Sequence, residues 1–187
     1  LWLRCLSDGR LHWPAGRGPV AGLAGSFDFI GLNWVAQATG AGDPLAGPAP
    51  ELEPASLYAA ICAHLDHERP IYVSAHGLPD AADAGRPAAI LTHLREVWRA
   101  INFNYPVMGY YHWTLLDRAA WARCREQAYS LIELEAEGGQ RRWRPSARLY
   151  QEICGRNAIS SQMADGYAPA VRDVLFPGRR PAAAING

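Results

Sequence analysis

Residues 69–77 read Arg-Pro-Ile-Tyr-Val-Ser-Ala-His-Gly, and the branched and aromatic side chains of this run predict a short buried strand over 70–74. Strands of this composition are typical of parallel sheets, in which both faces are covered. A long amphipathic helix is predicted soon afterwards, over 87–103, because apolar residues recur there at intervals of three and four. A buried strand followed by such a helix is the repeating unit of a parallel α/β sheet.

Two more predicted strands flank this unit, over 27–34 and 107–113, and a helix over 54–67 lies between the first and second strands. The alternation of strand and helix predicts right-handed crossovers and a parallel sheet. Three strands cannot close a barrel by themselves. The sequence therefore predicts either a short open α/β layer or part of a larger barrel.

The remaining segments are predicted to be shorter or irregular. Residues 1–24 contain several Gly and Pro that break any periodicity, so an irregular lead-in is expected. Residues 129–135 and 140–143 favour a β-hairpin, and Pro145 favours a helix through about Cys154. We expect one unit over 1–159 and an irregular C-terminal extension over 160–187, ending in a flexible tail from 177.

Composition excludes several classes of function. Lys plus Arg equals Asp plus Glu, at 18 each, so the net charge gives no reason to expect nucleic acid or an anionic membrane as a partner. No apolar run approaches the roughly 20 residues that span a bilayer. The four widely spaced cysteines favour reduced thiols and, by default, a cytoplasmic location. No metal site and no cofactor is expected, since Cys62, His64 and His67 do not share one helix face.

Four segments, in order, resemble glycoside hydrolase family 1, the β-glucosidase family. The segments are 27–33 (Phe-Asp-Phe-Ile-Gly-Leu-Asn), 69–77, 109–117 (Gly-Tyr-Tyr-His-Trp-Thr-Leu-Leu-Asp) and 144–147 (Arg-Pro-Ser-Ala) with the following Tyr150. The resemblance implies an α/β fold of the (β/α)8 TIM-barrel type. It covers strands six to eight with their helices and a small β-hairpin before the last helix, so a partial barrel is expected.

The same resemblance identifies a degenerate catalytic position. The seventh strand of the family ends in Thr-Glu-Asn-Gly, with Glu as the nucleophile, and here the run is Ser-Ala-His-Gly with Ala75 in that place. Val35 stands where the family has a Tyr that orients the nucleophile. Ala120 stands where the family has a Glu that hydrogen-bonds sugar hydroxyls. The strand that carries the acid/base Glu in the family has no counterpart in this sequence. No catalytic residue is therefore predicted, with His76 as a weak candidate for an acid or base.

Three residues match sugar-contacting positions of the family and are the candidate substrate-binding residues: Asn33, Trp113 and Trp121. Two indoles can stack on a sugar face even where the carboxylates are gone. Trp113 can equally pack as part of the core, and Asn33 can bond its own loop. Asp80 and Asp83, two acids that follow Ala75 closely in sequence, are more typical of solvated or helix-capping residues.

These observations predict a non-catalytic, glycosidase-like module that acts as a structural or accessory subunit, with a protein partner over the open edges of its sheet. The remaining strands could be supplied by a second polypeptide, by a longer protein of which this chain is a piece, or replaced by a different partner. The alternative is a β-glucosidase-type hydrolase whose N-terminal half is missing or lies in another chain. A sugar is the other ligand expected.

Overall fold

The computed structural model describes residues 2–35, 53–116, 128–134 and 140–178. Seven strands lie within these ranges: β1 (Arg10–Leu11), β2 (Gly18–Pro19), β3 (Ile30–Val35), β4 (Ile71–Gly77), β5 (Val107–His112), β6 (Ile132–Leu134) and β7 (Arg141–Trp143). Six α-helices accompany them: α1 (Trp2–Asp8), α2 (Pro54–Cys62), α3 (Arg86–Asn102), α4 (Pro145–Arg156), α5 (Ser161–Tyr167) and α6 (Arg172–Leu175).

The central layer is the predicted parallel sheet, with the strand order β3-β4-β5. Ile30 pairs with Ile71, which pairs in turn with Val107, and both pairings are parallel. The prediction of an α/β fold with three parallel strands joined through helices is therefore confirmed. The family-specific assignment to strands six to eight of a barrel remains a prediction.

Helices α2 and α3 cover one face of this sheet. Buried side chains from both helices pack there against the buried residues of the strands, and the cluster comprises Ile30, Leu32, Leu57, Ile61, Ile71, Val73, Val97, Ala100 and Val107. The pattern of apolar residues at helical spacing predicted these buried stripes. Trp98 and Ile101 follow the same apolar spacing in α3, which predicts that they are buried, but both are exposed.

The opposite face of the sheet has no covering layer in the described part of the chain. Phe29 contacts Tyr72 edge-on, with ring centroids 5.3 Å apart, and Tyr72 lies against Gly109 next to Tyr111. Tyr111, on the outer strand β5, is 56% exposed. A parallel sheet with an uncovered face is unusual, because both faces are normally packed against other elements.

A second core joins α3 to the C-terminal helices and to the antiparallel hairpin β6-β7, which confirms the predicted hairpin. The irregular extension expected over 160–187 is wrong for residues 161–175, where α5 and α6 bury Met163 and Leu175. Ser160 caps α5 by accepting a hydrogen bond from the Met163 amide at 3.2 Å. Helices this short carry too few apolar positions for a visible period, and tertiary packing stabilises them. The proposed boundary at 159 remains a prediction.

The N-terminal lead-in is also more regular than expected. Helix α1 buries Cys5, and β1 pairs with β2 in a two-residue antiparallel ladder. The Ser7 hydroxyl lies 2.8 Å from His67 Nδ1, which ties α1 to a 3₁₀ turn over Leu65–His67. The helix predicted over 54–67 therefore ends early, at Cys62. None of the described helices combines the length and apolar character needed to cross a bilayer.

Candidate functional site

The carboxyl ends of the three parallel strands meet at one edge of the sheet, which is where ligands bind in open α/β folds. Asn33 lies opposite Ala75, and His76 lies opposite His112. The backbone amide of Trp113 donates to the His76 carbonyl at 2.7 Å, which extends the pairing by one residue. The structure therefore places two predicted sugar-contacting residues, Asn33 and Trp113, on either side of the tip of β4.

A β-bulge interrupts the sheet at this tip. Leu32 pairs with Val73 and the next pair is Asn33 with Ala75, so Ser74 is an extra residue on β4. Bulges commonly re-aim side chains next to functional sites. The Ser74 hydroxyl lies 2.9 Å from Asn33 Oδ1 and 3.1 Å from the Leu32 carbonyl. Because Oδ1 of Asn33 accepts from Ser74, the amide nitrogen is the group of Asn33 that can donate to a ligand.

Gly77 allows the tips of β4 and β5 to approach closely. A Cβ at this position would lie 2.2 Å from the Trp113 carbonyl oxygen, so no side chain fits there. The Trp113 side chain is 43% exposed and is available to a ligand. Trp121 and Ala120 lie outside the described residues, so the second predicted indole platform stays a prediction.

No carboxylate side chain occupies the described strand tips, and Ala75 presents only a buried methyl group. The nearest acid, Asp80, accepts hydrogen bonds from the backbone amides of Gly85 and Arg86 at 2.8 and 3.0 Å. Burial raises its pKa, but the backbone hydrogen bonds together with the charge of Arg86 outweigh burial and hold the pKa of Asp80 below its ordinary value. Asp80 is thus the helix cap that the sequence suggested for α3.

The sequence predicted that Asp83 is either solvated or a helix cap, and the structure shows that it is not solvated. Its carboxylate, 6% exposed, pairs with the guanidinium of Arg86, which is itself completely buried. The Ser146 hydroxyl and amide donate to the same carboxylate at 2.6 and 2.8 Å. Asp83 therefore caps the first turn of α4 and neutralises Arg86, so both neighbouring acids serve structural roles.

His76, the weak acid/base candidate, lies on the helix-covered side of the sheet. Its ring is fully buried, 4.4 Å from the ring of His93 on α3, and its Nδ1 is 2.6 Å from the Tyr110 hydroxyl. Burial, with smaller contributions from the charges of His93 and His112, lowers the pKa of His76 to about 2. This buried position gives His76 no access to a sugar bound at the strand tips.

Sequence reasoning missed the buried cluster around His76. Burial is also the main cause that lowers the pKa of His112, to about 4. One signal was present: His93 falls on the same stripe of α3 as Ile90 and Val97, the stripe predicted to face the sheet. A histidine on such a stripe indicates a buried polar contact behind the sheet.

Comparison with known proteins matches residues 53–159 to the model of glycosyl hydrolase family 1, which is more than half of the 187 residues. The chain belongs to this family. The β-galactosidase of Saccharolobus solfataricus is 33% identical over 114 residues, which are 60% of this chain and 23% of that protein. The resemblance inferred from the four sequence segments is confirmed.

Other relatives of this family carry different names. The chloroplastic galactolipid galactosyltransferase of Arabidopsis thaliana is 27% identical over 149 residues, covering 72% of this chain and 24% of that protein. The chain thus spans about a quarter of the length of these relatives. Since a galactosidase and a galactosyltransferase both match, family membership alone does not fix the reaction.

The solved structures agree on the fold. The β-glycosidase of Thermosphaera aggregans superposes with a TM-score of 0.70 at 25% identity, covering 87% of this chain and 38% of that one. The β-glycosidase of Pyrococcus horikoshii gives a TM-score of 0.68 at 25% identity, covering 88% and 43%. These neighbours are TIM-barrel enzymes, and this chain shares the α/β architecture of a part of them.

Proposed function

We propose that this chain is a non-catalytic, glycosidase-like module that acts as a structural or accessory subunit in a larger assembly. One observation carries the proposal: the tip of β4 bears Ala75 opposite Asn33, and none of the described strand tips bears a carboxylate. In this proposal β3, β4 and β5 correspond to strands six to eight of a family barrel.

The chemistry of the family explains why this residue matters. Retaining glycosidases use two carboxylates about 5 Å apart, one as nucleophile and one as acid/base. A methyl group cannot form the glycosyl–enzyme bond, and the nearby acids Asp80 and Asp83 are engaged in capping α3 and α4. Loss of one member of such a catalytic unit commonly lowers kcat by about 10⁴-fold or more.

The test is hydrolysis of nitrophenyl β-glucoside and β-galactoside by the purified protein. We expect no turnover above that of a buffer control. Saturable hydrolysis that co-purifies with the protein through two different columns would contradict the proposal. Asn33→Ala is the matched variant, because an activity that belongs to the strand-tip site would fall when this amide is removed.

A second candidate function is β-glycosidase-type hydrolysis in which another part of the protein or a second polypeptide supplies the missing catalytic carboxylates. The retained pair Asn33 and Trp113 at the strand tips favours it, because a hydrogen-bond donor beside an exposed indole suits a sugar. Calorimetry with glucose and cellobiose measures whether a sugar binds. Recovery of hydrolysis on adding azide, a small external nucleophile, with a chain that carries the missing strands present would favour this candidate, and failure under the same conditions would count against it. Heats equal to those of dilution would show that this chain alone does not bind the two sugars.

We also propose that a protein surface covers the open parts of the sheet. In the described part of the chain, the outer edges of β3 and β5 have no strand partner, and the uncovered face exposes Phe29 and Tyr111, while Met108 is exposed along β5 beside Trp98 and Ile101 of α3. Free strand edges beside apolar surface favour association. Size-exclusion chromatography with light scattering on the purified protein should show a mass above that of one chain, and Met108→Lys should lower this mass. The mass of a single chain for both the parent protein and Met108→Lys would contradict the partner.

A further inference from the structure

Three histidines form a compact cluster on the helix-covered side of the sheet, behind the tip of β4. The ring centroid of His76 lies 4.4 Å from that of His93 on α3 and 6.0 Å from that of His112 on β5. His76 and His93 are almost completely buried. The cluster therefore joins β4, β5 and α3 through imidazole rings at the edge of the sheet that carries the candidate site.

Among the described residues, the titratable groups that lie against His76 and His112, besides the third histidine, are two tyrosines and Arg86. Tyr110 on β5 bonds His76 Nδ1 at 2.6 Å, and Tyr150 on α4 contacts His112, with ring centroids 6.0 Å apart. Arg86 on α3 is a buried cation whose charge acts on His112. The charge of Arg86 is paired with that of Asp83, and protonation of an imidazole would add a further positive charge beside this pair and beside the other histidines.

The hydrogen bonding of His76 also favours its neutral form. Its Nε2 atom is buried and has no hydrogen-bond partner among the described residues. A protonated imidazole carries a hydrogen on both nitrogens, and each needs an acceptor when buried. Tyr110 serves Nδ1 alone. The packed arrangement is therefore compatible with neutral imidazole and opposed to imidazolium.

We propose that this cluster is an acid-sensitive latch. Neutral histidines hold the tip of β4 against α3 and β5, and their protonation in mildly acidic solution releases the tip. Release displaces Ala75 and its pairing with Asn33, so the candidate site at the strand tips is intact only near neutral pH. The inference goes beyond the proposed function, because it holds whether or not the chain turns over a sugar.

The direction of the effect follows from the pKa values. Folding lowers the pKa of His76 to about 2 and that of His112 to about 4, mainly through burial. The latch is therefore fully stable above the ordinary histidine pKa of about 6.5, and it weakens as the pH falls below that value. At pH 5 the opening equilibrium constant rises about 30-fold for each histidine that is protonated only when the latch is open, and about 1,000-fold for the two together.

Hydrogen exchange read by mass spectrometry at pH 7.5 and pH 5.0, corrected for intrinsic exchange, tests the latch on the purified protein. We expect peptides over 71–77 and 107–112 to lose protection at pH 5.0, while peptides over α2 keep it. His76→Asn removes one titrating ring, so the acid effect should fall about 30-fold. His64→Asn, on a histidine outside the cluster, is the control and should respond to acid as the parent protein does.

Three results would overturn the proposal: unchanged protection at pH 5.0, equal loss in the α2 peptides, or an acid response in His76→Asn equal to that of the parent. If His76→Asn does not fold, His112→Asn provides the same comparison, since its ring also has a depressed pKa. A second readout needs only the parent protein, because the position of the peptides that lose protection at pH 5.0 is itself informative. Localised loss of protection supports the latch, and uniform loss contradicts it.

Discussion

Removing the Asp83 carboxylate should destabilise the protein more than any other single change near the strand tips. Asp83→Ala would leave the guanidinium of Arg86 buried without its counter-charge and would deprive two donors of Ser146 of their acceptor. Burial already lowers the pKa of Arg86, and the charge of Asp83 opposes that shift. The carboxylate therefore stabilises a cation that is out of contact with water.

The expected magnitude is that of a broken buried ion pair, about 3–5 kcal/mol. The two hydrogen bonds from Ser146 contribute about 1 kcal/mol each and fall within this range rather than adding to it. At 1.4 kcal/mol per factor of ten, the unfolding equilibrium constant should rise by roughly two to three and a half powers of ten. For a domain of ordinary stability this removes a large share of the free energy of unfolding.

Urea denaturation followed by tryptophan fluorescence measures this loss. Asp80→Ala is the matched control, because it removes a partly exposed cap of α3 and should cost only about 0.5–2 kcal/mol. The double variant Asp83→Ala with Arg86→Met should recover part of the loss, because it removes the unpaired charge. A loss below about 1 kcal/mol for Asp83→Ala, or one no larger than for Asp80→Ala, would refute the reasoning.

Two further changes test other parts of the structure. Gly77→Ala should lower the free energy of unfolding by about 1–3 kcal/mol, and the melting temperature with it, because its Cβ would clash with the Trp113 carbonyl. An unchanged melting temperature in calorimetry would show that the tips of β4 and β5 are farther apart. Ser160→Ala should lower the free energy of unfolding by about 1 kcal/mol, because it removes the cap of α5, whereas Ser161→Ala should lower it less. Equal effects of the two changes in urea denaturation would indicate that Ser160 does not cap α5.

The sheet and its helices could be predicted from the sequence because their signals are strong. The run 70–74 and the helix over 87–103 appear in the structure within a few residues of the predicted bounds, as β4 and α3. Helices α5 and α6 could not be found in this way, since seven and four residues give no measurable period. They form because Met163 and Leu175 pack against α3 and α4.

The candidate site was predictable in position but not in geometry. The family resemblance named Asn33 and Trp113, and the structure brings both to one edge of the sheet. The bulge at Ser74 is invisible in sequence, yet it determines which side chains follow one another on each face. The role of Asp83 was also hidden, because its partner Ser146 is 63 residues away.

Trapping of a covalent sugar intermediate tests the central claim most directly. A retaining glycosidase treated with a 2-fluoro-glycoside carrying a good leaving group accumulates a glycosyl adduct on its nucleophile, which intact-mass spectrometry detects. With Ala75 at the tip of β4, the account predicts no increase in mass on this chain at any time of incubation. A stoichiometric adduct, mapped by peptide sequencing to a residue of this chain, would contradict it.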